Sequence, residues 1–265
     1  MIRFENISMS FSRARAGRLD VLRGIDFQIQ EGELVCLLGP SGCGKSTLLN
    51  LAAGFLVPDS GRVVFGGAPV STPGPERGVI FQEPTLFPWL TVFGNVAFGL
   101  RAAGVNPGQV QAKVKETLRL AGIEGFDDQY PHALSGGMRQ RVALARVLVL
   151  DPKALLMDEP FSSLDANSRE RLQDELLRIW QAHRRTILFV THSVQEAAYL
   201  ADRIVLMGPP PAAVQSEIVV DLQGPRDRNS PKLRQLEDSL RSQLGALPCC
   251  HVPREADRSE RCRSK

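Results

Sequence analysis

The sequence predicts an α/β fold: a parallel, open sheet carrying helices, with an N-terminal antiparallel β subdomain and an inserted α-helical subdomain. Three observations carry this. Short, continuously apolar runs at residues 34–38 (LVCLL), 154–157 (ALLM) and 186–190 (TILFV) read as strands buried on both faces, with helical patterns between them. Residues 1–35 instead alternate apolar and polar positions. Residues 84–147 carry helical periodicity and no convincing strand.

In chain order, residues 2–7 alternate and read as a strand. So do residues 22–29, with Leu22, Ile25, Phe27 and Ile29 apolar. After the run at 34–38 comes a glycine-rich loop, then a helix over Lys45–Ala53. Residues 61–65 form a strand closed by Gly66 and Gly67. In the helical stretch Asn106 is a cap and Pro107 a first-turn residue. Val110, Val114, Leu118 and Ala121 then share one face, and Gly122 ends the helix. Another helix is expected over residues 139–150. Leu172, Leu176, Ile179, Trp180 and His183 mark one face of a helix between the last two buried strands. Ser193 and Glu196 have capping-box spacing for a helix over Val194–Leu200. Pro209, Pro210 and Pro211 close the core; a strand at 217–222 and a helix at 230–244 follow. The expectation is one domain over residues 1–245, with the helical lobe at about 84–147 inserted, and a charged tail at 246–265 without a fold.

Composition excludes several classes. Hydrophobic residues at 43% and charged residues at 23% are ordinary globular values, which removes fibrous, collagen-like and wholly disordered chains. With 265 residues the chain can bury a core without disulfides or metal. Lysine and arginine number 32 against 29 acidic residues, and +3 is too mild for a nucleic-acid surface. No apolar run approaches the about 18 residues that span a bilayer. The first ten residues (MIRFENISMS) lack the charged start and apolar stretch of a secretory signal. The chain is therefore expected in the cytosol, reaching a membrane only through a partner. Of five cysteines, Cys36 sits in an apolar run and behaves as a small hydrophobe, whereas Cys249, Cys250 and Cys262 fall in the charged tail. His251 beside Cys249 and Cys250 lacks the spacing of a zinc site.

The chemistry begins at residues 39–47 (GPSGCGKST), which match the phosphate-loop pattern GxxxxGK[ST] between a buried strand and a helix. Chance yields such a match in about one chain of this length in a hundred. Gly39, Gly42 and Gly44 let backbone amides turn inward as an anion nest, with Pro40, Ser41 and Cys43 between them. The helix start, at Lys45, Ser46 and Thr47, adds orphan amides and a positive dipole end. Lys45 puts a charge on the outer phosphates and the Ser46 hydroxyl ligates Mg²⁺. The reading is a P-loop NTPase core that binds a nucleoside triphosphate. Cys43, in an anion nest at a helix start, is expected to be a reactive thiol that bound nucleotide protects. Residues 154–160 (ALLMDEP) end an apolar strand in two carboxylates, at the edge where open α/β sheets bind ligands. Asp158 is expected to hold Mg²⁺ through water, and Glu159 to polarise the attacking water. Residues 134–141 (LSGGMRQR) place Ser135, Gly136 and Gly137 at a second helix start, a second phosphate-binding end. One chain has little use for two such ends on one triphosphate. Two chains facing head-to-tail use both, each completing the other's site.

With these motifs in order, the sequence closely resembles the ATP-binding subunits of ABC transporters, over about residues 1–245. The resemblance implies an ABC-type nucleotide-binding domain, with ATP and Mg²⁺ bound. Gln82 resembles the magnesium- and water-sensing glutamine that faces the membrane partner. Asp165, in the run Ser162-Ser163-Leu164-Asp165, resembles the aspartate that couples the two sites of the dimer. His192 resembles the switch histidine on the γ-phosphate. Phe11 stands where an aromatic, usually tyrosine, stacks on adenine, although it also suits a core. Met138 replaces a glutamine often found after the two glycines, a change that touches no phosphate contact. Leu86, Phe87, Trp89 and Leu90 suit a core or a protein groove; Pro84 and Pro88 keep the stretch irregular, which favours a groove for the permease.

Residues 81–95 (FQEPTLFPWLTVFGN), the run LSGGMRQR and residues 220–230 (VDLQGPRDRNS) further resemble importers of nitrate, sulfonates, taurine and related solutes. This implies a separate integral membrane permease, an extracytoplasmic solute-binding protein, a homodimer of this subunit and a place on the cytoplasmic face of the inner membrane. A pyrimidine precursor or bicarbonate importer stays open. Soluble relatives acting on DNA or ribosomes usually carry a coiled-coil insertion or two nucleotide domains, which this chain lacks. A small-molecule phosphoryl transferase would leave LSGGMRQR unexplained.

Overall fold

The computed structural model describes residues 1–13, 17–222 and 226–247. The tail cysteines and His251 lie outside them, as does the His183 side chain. Two sheets form. The first is antiparallel, in the order β2-β1-β4-β5, from β1 (Ile2–Arg13), β2 (Gly17–Ile29), β4 (Ser60–Phe65) and β5 (Ala68–Pro69). The second has six strands in the order β10-β9-β3-β8-β7-β6. They are β3 (Leu34–Leu38), β6 (Arg77–Ile80), β7 (Ala154–Asp158), β8 (Thr186–Thr191), β9 (Arg203–Met207) and β10 (Val214–Val219). All neighbours in it run parallel except β10, which pairs antiparallel at one edge.

Every residue of β3 is buried because both faces of this sheet are covered. Leu34, Cys36 and Leu38 enter one core, while Val35 and Leu37 enter another, as the period of two requires. The first core is closed by α5 (Ala166–His183), α6 (Val194–Leu200) and α7 (Pro231–Ala246) through Leu172, Leu176, Trp180, Ala197, Leu233 and Leu240. The second is closed by α1 (Lys45–Ala53) and the antiparallel sheet. A third core joins α2 (Val92–Ala102), α3 (Pro107–Leu120) and α4 (Gly136–Leu148) through Val96, Leu100, Val110, Val114, Leu118 and Val142. Asn106 caps α3 through Gly108 N at 3.0 Å, with Pro107 in the first turn. Among the described residues no helix is long and apolar enough to cross a membrane.

Several boundaries differ from the sequence reading. The first hairpin is longer, because β1 and β2 continue pairing to Arg13 and Gly17. The strand expected at 217–222 is β10 at Val214–Val219, an edge strand whose half-buried alternation carries little apolar signal. β9 (RIVLM) was not anticipated. α4 starts at Gly136, not 139, since Ser135 accepts from Met138 N at 3.3 Å and caps it there.

Candidate functional site

Parallel register sets which residues meet. Leu38 pairs with Thr191, Met157 with Phe189, and Ile80 with Met157. The chain after β3, β6, β7 and β8 therefore leaves at one carboxyl edge. That edge carries the loop from Gly39, the segment holding Gln82, the pair Asp158 and Glu159, and His192.

The phosphate loop turns through glycines at φ +77° (Gly42) and +94° (Gly44). At Gly44 a Cβ would meet Leu22 Cδ2 at 2.7 Å and Val21 Cγ1 at 2.9 Å, so the antiparallel sheet presses directly on the loop. Lys45 is buried, and its Nζ donates to the Gly39 and Pro40 carbonyls, each at 2.9 Å. Ser46 Oγ donates to Asp158 Oδ1 at 3.0 Å. A hydroxyl and a carboxylate so placed are hard oxygen donors of the kind Mg²⁺ takes, so these residues fit that ion. Burial raises the Asp158 pKa, the Ser46 hydrogen bond opposing it.

Glu159 stands in the left-handed region at φ +44°, its N–H donating to Val190 O at 2.9 Å. Its Oε2 lies 2.9 Å from His192 Nδ1. A strained backbone at this edge, aiming a carboxylate at an imidazole, is an arrangement suited to handling a proton.

Cys43 is corrected. Its thiol is wholly buried, 3.8 Å from Lys45 Nζ and close against Gly39, so an external reagent does not meet an accessible thiolate.

The other singled-out residues are positioned but not drawn into this cluster. Gln82 is exposed beyond β6. Ser135, Gly136 and Gly137 open α4 in the helical unit, and among the described residues no hydrogen bond joins them to the phosphate loop. Asp165 caps α5 by accepting from Ser168 N at 3.0 Å, and hydrogen bonding from Ser168, its side chain first and its N–H second, lowers the Asp165 pKa. Phe11 is 37% exposed, paired with Leu19 on the hairpin that covers Gly44, so it is not core.

Past Gln82 the chain builds a groove. Trp89 is 70% exposed, while Phe87 lies between Trp89 and Phe98, with ring centroids at 5.6 and 4.6 Å. Leu86 instead packs on the helical core. A cavity of about 460 Å³ opens beside Phe55, Phe81, Phe87, Phe98, Arg146 and Leu150. Two residues that build it escaped the sequence reading. Asn95, fully buried, accepts from Phe87 N at 2.8 Å and donates to the Phe87, Leu90 and Thr91 carbonyls at 3.1, 3.0 and 3.0 Å. Arg146 of α4 donates to Thr85 O at 2.9 Å and lies over the Phe87 ring. An asparagine amid VFGNVAFG was the one available signal for the first.

The family model described as ABC transporter matches residues 22–162. A taurine import ATP-binding protein of Pelagibacter ubique is 46% identical over 213 residues, covering 80% of each chain. An aliphatic sulfonates import ATP-binding protein of Bacillus thuringiensis is 42% identical, covering 92% of this chain and 95% of that one. A dimeric structure of an ATP-binding cassette in a post-hydrolysis state, bound to ADP and phosphate, superposes with a TM-score of 0.74 at 28% identity. It covers 84% of this chain and all of that one. Fold, phosphate loop, acidic strand end and kin agree, and the chain belongs to the ABC transporter family.

Proposed function

We propose that this chain is the ATP-binding and ATP-hydrolysing subunit of an importer that takes up taurine, a sulfonate or a similar small solute through a separate membrane permease. The observation that carries the enzymatic part is the Glu159–His192 pair at 2.9 Å, on the sheet edge that also holds the phosphate loop. The named import relatives support the solute class.

In this reading the loop amides and Lys45 bind the β- and γ-phosphates, Lys45 exchanging its carbonyl partners for phosphate oxygens. Phe11 stacks on the adenine. Ser46 and Asp158 would hold Mg²⁺, Gln82 being the further candidate ligand, and the bound ion would neutralise charge on the phosphate oxygens. Glu159 orients the attacking water and receives its proton. His192, hydrogen-bonded to Glu159, holds that carboxylate and contacts the γ-phosphate. Ser135, Gly136 and Gly137 of a second copy, facing head-to-tail, close the far side with a helix start, and Asp165 lies at the seam between copies. The dimeric relative supports that assembly. The aromatic groove beside Phe87 and Trp89 receives a helix of the permease, which keeps the subunit peripheral on the cytoplasmic face of the membrane. A solute-binding protein outside the membrane delivers the solute.

The test is Mg-ATP hydrolysis by the purified chain, then labelled-taurine uptake into vesicles holding the co-purified permease, with ATP enclosed and the solute-binding protein outside. Hydrolysis and ATP-dependent uptake are expected. No hydrolysis would refute the enzymatic reading; hydrolysis without uptake of taurine or any sulfonate would refute the solute class.

A further inference from the structure

Glu196 is an acidic residue only 5% exposed. Burying a carboxylate is costly unless strong partners compensate, and burial raises its pKa. It lies in the first turn of α6, just beyond His192. Ser193 Oγ accepts from Glu196 N at 3.3 Å, which is one half of the capping box that the sequence suggests. The other half is missing. A capping-box carboxylate bonds the N–H of the cap residue, but the Ser193 N–H donates instead to Thr191 Oγ1 at 3.0 Å.

The Glu196 carboxylate is diverted inward, and its two oxygens serve two turns. Oε2 accepts from Thr191 Oγ1 at 2.6 Å, so the residues on either side of His192 are fastened to one another and to Glu196. Oε1 accepts from Gln173 Nε2 at 3.4 Å and lies 3.9 Å from Arg169 Nε. Arg169 in turn donates to the carbonyls of Phe161 at 3.2 Å and Leu164 at 2.8 Å, within the turn between Glu159 and Asp165. One buried carboxylate thus joins the turn that carries His192 to the turn that leads from Glu159 to Asp165. Gln173 also accepts from Arg228 Nη1 at 2.8 Å, extending the network to the segment before α7.

We infer that Glu196 is a positioning residue for hydrolysis: through Thr191 and Arg169 it holds His192 and the 159–165 turn in one register, which keeps the imidazole on Glu159. This rests on the hydrolytic reading of Glu159 and His192. Capping alone gives no reason for the inward carboxylate, because the bond that caps α6 uses only the Glu196 backbone.

The test is a double-mutant cycle on the full chain, followed as single-turnover release of labelled phosphate so that slow variants stay measurable. Glu196→Ala should lower the hydrolytic rate by about ten- to a hundredfold, as displacing an aligned group does, with ATP affinity little changed. Thr191→Val, which removes only the hydroxyl, should lower it in the same direction. Glu196→Gln keeps an acceptor for Thr191 and should recover most of the rate. In a His192→Ala chain, Glu196→Ala should cause no further loss, since the two act as a unit. A purely structural Glu196 would give the same fractional loss in both backgrounds, and that result overturns the inference. If Glu196→Ala fails to fold, Thr191→Val carries the cycle, and an unchanged rate there overturns it as well. A wild-type chain that hydrolyses nothing would refute the hydrolytic reading itself, whereas additive losses on an active wild type refute this inference alone.

Discussion

Glu159 combines a left-handed backbone, a bond from its N–H to Val190 O, and a carboxylate 2.9 Å from His192. Replacing it with glutamine keeps the shape and removes the base. Glu159→Gln should bind ATP as the wild type does and lose at least about a hundredfold in turnover, the scale of a positioned general base. Phosphate release and nucleotide binding measured on one preparation check this; wild-type turnover would remove Glu159 from the role. Cys43 gives a second prediction at this scale. With Cys249, Cys250 and Cys262 changed to serine, maleimide should label the native chain slowly with or without Mg-ATP, and quickly only in denaturant. The residues of the phosphate loop, Asp158 and Glu159 were legible because fixed spacing carries their chemistry. Burial of Cys43 was not legible, since the same GPSGCGKST reads equally well with that side chain inward or outward. Glu196 was legible as a cap, but the turn of its carboxylate toward Arg169 and Gln173 depends on α5, which lies far away in sequence.

Among the elements, those with strong apolar period were readable: β3, β7, β8, α3 and α5 lie where the pattern puts them. The edge strand β10 and the start of α4 were displaced because an exposed alternation and a cap compete with neighbouring signals. The irregular segment before α2 was recognised, but not what holds it. Asn95 supplies four hydrogen bonds to it, so Asn95→Leu should destabilise the chain by about 2 kcal/mol in urea unfolding by stranding buried partners. Trp89, by contrast, is 70% exposed and meets the Phe87 ring from the outside. Trp89→Ala should leave isolated hydrolysis unchanged while weakening permease association by about 2 kcal/mol or more and reducing uptake sharply. Insolubility or lost hydrolysis in isolation would instead make Trp89 part of the fold.

At the scale of the molecule, three hydrophobic cores build the fold. Two of them hold the phosphate loop, Asp158, Glu159 and His192, whereas the third holds the helix started by Ser135. Among the described residues no hydrogen bond joins Ser135, which caps α4, to that set, and the proposed pairing of two copies gives it a phosphate to meet. On the proposed function, ATP draws two copies together. Sedimentation velocity of Glu159→Gln, in Mg-ATP and then in ADP, tests it most directly. A dimer with ATP and a monomer with ADP are expected; a monomer in both, at concentrations where ATP is bound, would show that nucleotide does not assemble the pair.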